Sequence, residues 1–126
     1  MASFENSTYF EKSEFDHPEK MDQELVAMLD VARGIARVPF TITSDWRPEG
    51  DGKSHHLGKA VDIRCKTSSD RWAIVNGLVR AGFRRIGVYY AEIVDGHHRE
   101  GHVHADRNTA EDGFPQDVMW IGKSRN

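Results

Sequence analysis

Two stretches of the chain carry apolar residues at the three- and four-residue spacing of an amphipathic helix. The first follows Asp22, a plausible N-cap, and the second begins at Ser68 or Ser69 and stops at Gly82. We expect both helices to pack on a sheet. Their predicted buried positions are Leu25, Met28, Leu29, Ala32 and Ile35 in the first helix, and Trp72, Val75, Leu78 and Val79 in the second.

Short segments rich in β-branched and aromatic residues predict strands between and after these helices. A polar loop (44–58) follows the first predicted strand, and a hydrophilic segment (95–101) precedes the last. The connections are too short for repeated parallel crossovers, which favours one α+β domain of 126 residues with a mainly antiparallel sheet. The predicted strands are 38–43, 60–65, 85–90, 92–94 and 102–105.

The two ends of the chain carry less regular patterns. Residues 1–21 are expected to form an irregular arm, in which Tyr9, Phe10 and Phe15 pack onto the domain as aromatic anchors. Residues 108–126 are expected to form a covering tail.

Period-two alternation separates a polar face from an apolar face in two of the predicted strands. In 60–65, Asp62 lies on the face opposite Val61 and Ile63. In the last strand, His102, His104 and Asp106 share one face, with small apolar residues behind them. Imidazole and carboxylate are common zinc ligands, and a catalytic zinc site uses three of them. The segments 53–62 and 101–106 therefore predict a mononuclear zinc site.

Composition excludes several other classes of protein. The 17 basic and 20 acidic residues are mixed along the chain, so nothing predicts nucleic-acid binding. No apolar stretch approaches the roughly 18 residues that span a bilayer, and the first fifteen residues are too polar for a secretory signal. We expect a monomer that is made in the cytoplasm and does not insert into membranes. Cys65 is the sole cysteine, and its strand position predicts burial.

The pattern His-x-x-Gly-x-Ala-x-Asp at residues 55–62, with His-x-Asp at 104–106, resembles the zinc D-Ala-D-Ala carboxypeptidase family. That family includes phage L-Ala-D-Glu endolysins. The segments 42–47 and 85–89 are also similar to family elements, so the resemblance covers roughly residues 9 to 107. It implies a fold like that of the hedgehog signalling domain. It also implies a zinc-dependent hydrolase of peptidoglycan stem peptides, which would act at the cell wall if it is a phage lysis or virion protein.

Carried over by position, the resemblance implies that one zinc ion is held by His55, Asp62 and His104, and that Arg47 binds a substrate carboxylate. Spacing alone leaves His56 as an alternative to His55, and His102 as an alternative to His104. The register with Asp62 favours His55.

His102 is the first candidate for the catalytic base or electrophile, because it shares a strand face with His104. Asp106 could orient an imidazole. Many relatives carry an acidic base at the position of Gly101, with Glu100 one residue further back here. A second hypothesis is therefore a zinc-containing binding module without catalysis. His17, His97 and His98 are given no role.

Overall fold

The computed structural model describes residues 3–50, 53–90, 92–94, 97–99 and 101–123, and for 92–94 and 97–99 it describes the backbone alone. The described residues form two helices and seven strands. Short 3-10 turns lie at Lys12–Glu14, Pro18–Lys20 and Lys53–His55. The helices are α1 (Gln23–Ala36) and α2 (Ser68–Arg80). The strands are β1 (Ile42–Ser44), β2 (Ala60–Cys65), β3 (Arg85–Tyr90), β4 (Glu92–Val94), β5 (His97–Arg99), β6 (Gly101–Asp106) and β7 (Val118–Lys123).

The main sheet has the strand order β1-β2-β6-β3-β7, and the domain is a small α+β unit. Its β1–β2, β2–β6 and β3–β6 pairs are antiparallel, whereas β3 and β7 are parallel. The sheet is therefore mixed, although most of its pairings are antiparallel as expected. Strands β4 and β5 form a separate antiparallel pair.

Helix α1 follows its apolar pattern closely. Asp22 is the N-cap as predicted, and its side chain accepts a hydrogen bond of 3.0 Å from the backbone N–H of Leu25. The helix ends at Arg37, which adopts the left-handed conformation with φ 58°. Its buried residues are Leu25, Val26, Leu29 and Ala32, whereas the predicted positions Met28 and Ile35 are only partly buried.

Helix α2 differs from the prediction in its cap and in its buried face. The N-cap is Thr67, whose hydroxyl accepts a hydrogen bond from the N–H of Asp70. Trp72 and Val79 were expected to be buried, but they are 69% and 51% exposed. The buried residues are Ile74, Gly77 and Leu78, because α2 packs closely on α1 at Gly77. Because Gly77 faces α1, the side of the helix that carries Trp72 is exposed to solvent.

Three further differences concern strands. The first strand begins at Ile42 rather than at residue 38, since Pro39 has no N–H for a sheet ladder. Residues 97–99, expected in a hydrophilic connection, form β5. The segment expected to be a covering tail contributes β7, which extends the edge of the sheet.

The core lies between the helices and one face of the sheet. Val61, Ile63 and Cys65 of β2 are buried there beside Val103 and Ala105 of β6, as their alternation predicts. The burial of Cys65 is confirmed. None of the described helices is long and apolar enough to cross a bilayer.

The N-terminal arm is fastened to the domain by buried aromatic side chains and by hydrogen bonds. Phe10 and Phe15 are buried in the core as predicted, whereas Tyr9 packs its ring against Gly34 of α1 and remains 49% exposed. Further along, the N–H of Asp22 donates a 2.9 Å hydrogen bond to the carbonyl of Gly58. Gly58 has φ +72°, and a Cβ there would lie 2.0 Å from the carbonyl oxygen of Lys20. A glycine is therefore needed where the arm contacts the loop before β2.

Gly77→Ala should destabilise the fold by about 1–3 kcal/mol, because the added Cβ would lie 2.5 Å from the carbonyl oxygen of Ala32 and force the helices apart. In an exposed helix the same change would stabilise by about 1 kcal/mol. Urea denaturation measures the difference. Val79→Ala, on the exposed side of α2, is the control and should change stability by less than about 0.5 kcal/mol. An unchanged midpoint for Gly77→Ala would contradict this account of the helix contact.

Candidate metal centre

The antiparallel pairing of β2 with β6 brings together groups that are far apart in the chain. Asp62 lies directly opposite His104, and Ala60 lies opposite Asp106. Because side chains alternate across a sheet, these polar groups lie on the face opposite the core. Asp62, His104 and Asp106 are nevertheless buried, although they lie on the polar face of the sheet.

His55 reaches this site from the 3-10 turn before β2, and it is buried. Its Nδ1 lies 2.7 Å from the backbone carbonyl of Asp45. A carbonyl only accepts hydrogen bonds, so Nδ1 carries a proton and Nε2 is the ring nitrogen that faces the site. This Nε2 lies 3.6 Å from Oδ1 of Asp62.

The His104 ring is oriented through its other nitrogen, Nε2 instead of Nδ1. Its Nε2 lies 2.6 Å from Oδ2 of Asp106, a fully buried carboxylate that also accepts a 2.7 Å hydrogen bond from Nε of Arg85. Since Asp106 is an acceptor, Nε2 of His104 is a donor, and Nδ1 is the ring nitrogen that faces the site: it donates to Asp62 when it is protonated and can bind a metal ion when it is not. That Nδ1 lies 3.1 Å from Oδ1 of Asp62.

Three potential ligand atoms thus converge, one each from His55, Asp62 and His104, and all lie within 4.8 Å of one another. Tetrahedral coordination with bonds of about 2.0–2.1 Å separates ligand atoms by about 3.3 Å. The two imidazole nitrogens lie 3.1 and 3.6 Å from the Asp62 oxygen, close to that spacing, and within 4.8 Å of each other. This buried group could hold a metal ion, and within the described side chains it contains three ligands and no fourth.

Charge in the site is balanced by neighbouring cations and donors. Burial raises the pKa of the Asp62 carboxyl, but hydrogen bonds from His104 and His55 outweigh burial and hold that pKa far below its usual range. Burial lowers the pKa of His104, yet its hydrogen bonds with Asp106 and Asp62 outweigh burial and raise it. The second Asp62 oxygen accepts a 3.1 Å hydrogen bond from Nη2 of Arg47. Asp62 is therefore ionised at neutral pH.

His102 lies on the same face of β6 as His104 but outside the ligand group. Its ring stacks on Tyr89, with centroids 4.4 Å apart and planes 9° apart. Burial lowers the pKa of His102, an effect that the Asp62 carboxylate only partly offsets. The ring is therefore neutral at pH 7.

The remaining predicted site residues fall in different places. Arg47 lies beside Asp62, whereas His56 does not join the three-ligand group. Asp106 orients His104, as the sequence suggested. Gly101 begins β6 and offers no side chain. Glu100 and the side chains of His97 and His98 lie outside the described residues.

Sequence reasoning missed two residues that shape the site. Asp45 supplies the carbonyl that orients His55, and its buried carboxylate accepts hydrogen bonds of 2.8 Å from the N–H and Nδ1 of His17. Arg85 supplies the cation that pairs with Asp106. Both lie within segments that resemble family elements, which was the available signal. Neither has a local pattern that reveals its partner.

Comparisons with known protein families, with curated proteins and with solved structures found no match to this chain.

The zinc-free protein should bind one equivalent of Zn²⁺ and unfold at a higher temperature when loaded, because a ligand that binds only the folded state stabilises it. His55→Ala should abolish stoichiometric binding, since it removes one of three ligands. Isothermal titration calorimetry measures zinc binding by the wild type and the variant, and thermal denaturation measures the unfolding temperature. His56→Ala is the matched control and should bind as the wild type does. Loss of binding in the His56 variant alone would contradict the ligand assignment.

Asp106→Asn should weaken metal binding by about 10- to 100-fold, because a carboxylate that accepts from a ligating imidazole raises its basicity and fixes its orientation. A competition titration against a chromogenic chelator measures the affinity, with circular dichroism to verify that the variant is folded. Asp112→Asn, which removes a carboxylate that pairs with Lys59 away from the three ligands, is the control. Equal affinities in the two variants would contradict the role of Asp106.

Proposed function

We propose that this protein is a zinc-dependent peptidase that hydrolyses peptidoglycan stem peptides, as a D,D-carboxypeptidase or an endopeptidase. The observation that carries the proposal is the convergence of one carboxylate oxygen and two imidazole nitrogens, with each imidazole held by a hydrogen bond on its other nitrogen so that the remaining nitrogen faces Asp62. Three protein ligands with a further position left to water are typical of catalytic zinc, whereas structural zinc sites use four.

The oriented imidazoles support zinc over harder cations. Magnesium and calcium prefer sets of oxygen ligands, whereas two histidines and one carboxylate suit zinc and related transition metals. Asp106 and the Asp45 carbonyl accept from the nitrogens that face away from the site, as the partners of ligating histidines commonly do. Zinc bound here would polarise a scissile carbonyl and lower the pKa of its bound water to about 7.

His102 is the group we assign to proton transfer. It is neutral at pH 7, it lies on the ligand face of β6, and it is not needed as a ligand. A neutral imidazole can accept a proton from water during attack and return it to the leaving amine. This assignment replaces the acidic residue that relatives carry at the position of Gly101.

Arg47 is the group we assign to a substrate carboxylate. Its Nε donates to Oγ of Ser44 and one Nη2 proton is directed to Asp62, which fixes the plane of the guanidinium. Its Nη1 has no hydrogen-bond partner within the described residues, and the side chain is 33% exposed. A planar guanidinium held at the edge of the site can bind a peptide carboxylate in a way that lysine cannot.

The choice of peptidoglycan rests on the similarity of residues 55–62 and 104–106 to the zinc D-Ala-D-Ala carboxypeptidases. With it we propose the hedgehog-like arrangement of that family and action at the cell wall, as expected for a phage lysis enzyme. A small α+β domain with its polar site on one face of a sheet is compatible with this arrangement.

The zinc-loaded protein should cleave purified muropeptides that carry full stem peptides, and a chelator should stop the reaction. Mass spectrometry of the products identifies the bond. Loss of a terminal D-alanine would define a carboxypeptidase, and cleavage after L-alanine or at a cross-link would define an endopeptidase. Intact muropeptides in the presence of stoichiometrically bound zinc would overturn the proposal.

Two variants connect that activity to the assigned residues. His102→Gln should lower kcat by about 10²- to 10⁴-fold, the usual contribution of a general acid or base, and leave zinc bound. Arg47→Lys should raise KM more than it lowers kcat, because it loses a binding contact. His56→Gln is the control. Full activity in His102→Gln would remove His102 from the mechanism.

The alternative is a zinc-containing module that binds a wall peptide without cleaving it. The absence of a side chain at Gly101 favours this alternative, since relatives place their acidic base there. Saturable binding of intact muropeptides, dependent on zinc and without products, would identify such a module.

A further inference from the structure

The polar face of the sheet is built as rows of residues that lie opposite one another on adjacent strands. One row runs from Asp62 through His104 and Gly87 to Trp120. The next row runs from Arg64 through His102 and Tyr89 to Gly122. Each row therefore contains one histidine on β6 and, on β3 and β7, one glycine and one aromatic residue. The glycine is on β3 in the first row and on β7 in the second.

The glycine in each row makes room for the aromatic residue beside it. A Cβ on Gly87 would lie 2.5 Å from Nε1 of the Trp120 indole, and a Cβ on Gly122 would lie 2.7 Å from Cε1 of the Tyr89 ring. Each ring therefore occupies the space beside the glycine of the neighbouring strand. In this position the Trp120 ring reaches within 5.5 Å of the His104 ring, centroid to centroid.

The two aromatic residues are joined by a hydrogen bond. Nε1 of Trp120 donates to the hydroxyl of Tyr89 at 2.9 Å. This bond restrains the hydroxyl end of the tyrosine side chain. Arg85 lies over the Trp120 ring, 5.0 Å from its centroid, and its own position is set by Asp106. The aromatic pair is thus tied to the same buried carboxylate that orients His104.

The Tyr89 ring in turn holds His102. The stacking is nearly parallel, at 4.4 Å and 9°, and Nδ1 of His102 is buried with no hydrogen-bond partner in the described part of the chain. Most histidines that take part in catalysis are oriented by a hydrogen bond to this second nitrogen. Here the described contact that fixes the plane of the imidazole is the phenol ring.

We propose that Tyr89 is the positioning residue for His102, and that Trp120 holds Tyr89 in place from the edge strand. The catalytic importance of this contact rests on the proposed function, because His102 is the assigned proton-transfer group there. The orientation of the ring does not depend on that assignment. Among the described residues, stacking takes the place of a hydrogen bond, and Nδ1 of the imidazole has no charged partner there.

The first test is NMR spectroscopy of the zinc-loaded protein, with the His102 ring signals assigned by comparison with His102→Gln. The stacked phenol ring should shift the carbon-bound protons of His102 upfield in the wild type. Tyr89→Leu should return them toward the positions of an unstacked histidine. Tyr89→Phe should preserve most of the shift, because it keeps the ring and loses only the hydroxyl.

The second test is kinetic. Tyr89→Leu should lower kcat by about 10- to 100-fold through misplacement of the imidazole, with KM and zinc affinity within about twofold of wild type. Tyr89→Phe and Trp120→Phe each break the same hydrogen bond, so the double variant should lose no more activity than the more affected single variant. Tyr90→Leu, at the exposed neighbouring tyrosine, is the control and should match the wild type.

Gly122→Ala provides a variant that keeps both rings but displaces Tyr89, in case Tyr89→Leu does not fold. It should move the His102 signals in the same direction. Unchanged His102 signals in a folded Tyr89→Leu or Gly122→Ala protein would overturn the proposal, as would wild-type kcat with shifted signals. If the wild type hydrolyses nothing, the proposed function fails, whereas the NMR comparison still decides whether Tyr89 orients His102.

Discussion

The antiparallel pairing of β2 with β6 is the constraint on which the site depends. It places Asp62 opposite His104 and Ala60 opposite Asp106, although these groups come from segments about forty residues apart. A shift of one residue in this register would turn the ligands toward the core and the core residues toward the site. The burial of Val61, Ile63, Val103 and Ala105 opposes that shift, because exposing them would cost hydrophobic free energy. The same apolar residues that stabilise the core therefore fix the geometry of the site.

The site adds a second constraint, which is the pairing of buried charges. Arg85, Asp106, His104, Asp62 and Arg47 form one continuous series of ion pairs and hydrogen bonds. A buried carboxylate without a partner is costly, and removing one member would leave its neighbour unpaired. The series orients His104 and the Asp45 carbonyl orients His55, so one nitrogen of each imidazole faces the Asp62 carboxylate. Pre-orientation of this kind is what a metal site requires, since ligands that are already in place lose little freedom on binding.

The N-terminal and C-terminal segments both contact residues that support the site. The N-terminal arm reaches Asp45 through His17 and reaches the loop before β2 through Asp22, so it supports the turn that carries His55. The C-terminal segment adds β7, and with it the Trp120 indole that reaches the Tyr89 hydroxyl. Both ends therefore act on residues beside the site. The N-terminal arm restrains Asp45, which contacts His55, and β7 restrains Tyr89, which stacks on His102.

The sequence by itself determined the features that depend on short-range periodicity. The Asp22 cap, the apolar stripe of α1 and the two alternating strands follow from spacings of two, three or four residues. The grouping of His55, Asp62 and His104 was expected from the resemblance to a family motif, and the pairing of β2 with β6 brings these residues together. Tertiary structure decided the rest, because it depends on contacts between distant segments. Close packing at Gly77 rotated α2 and exposed Trp72, and parallel pairing with β3 turned an expected tail into a strand. The partners of Asp45 and Arg85 likewise exist only once the strands have paired, since no local pattern encodes which distant group a buried polar atom will meet.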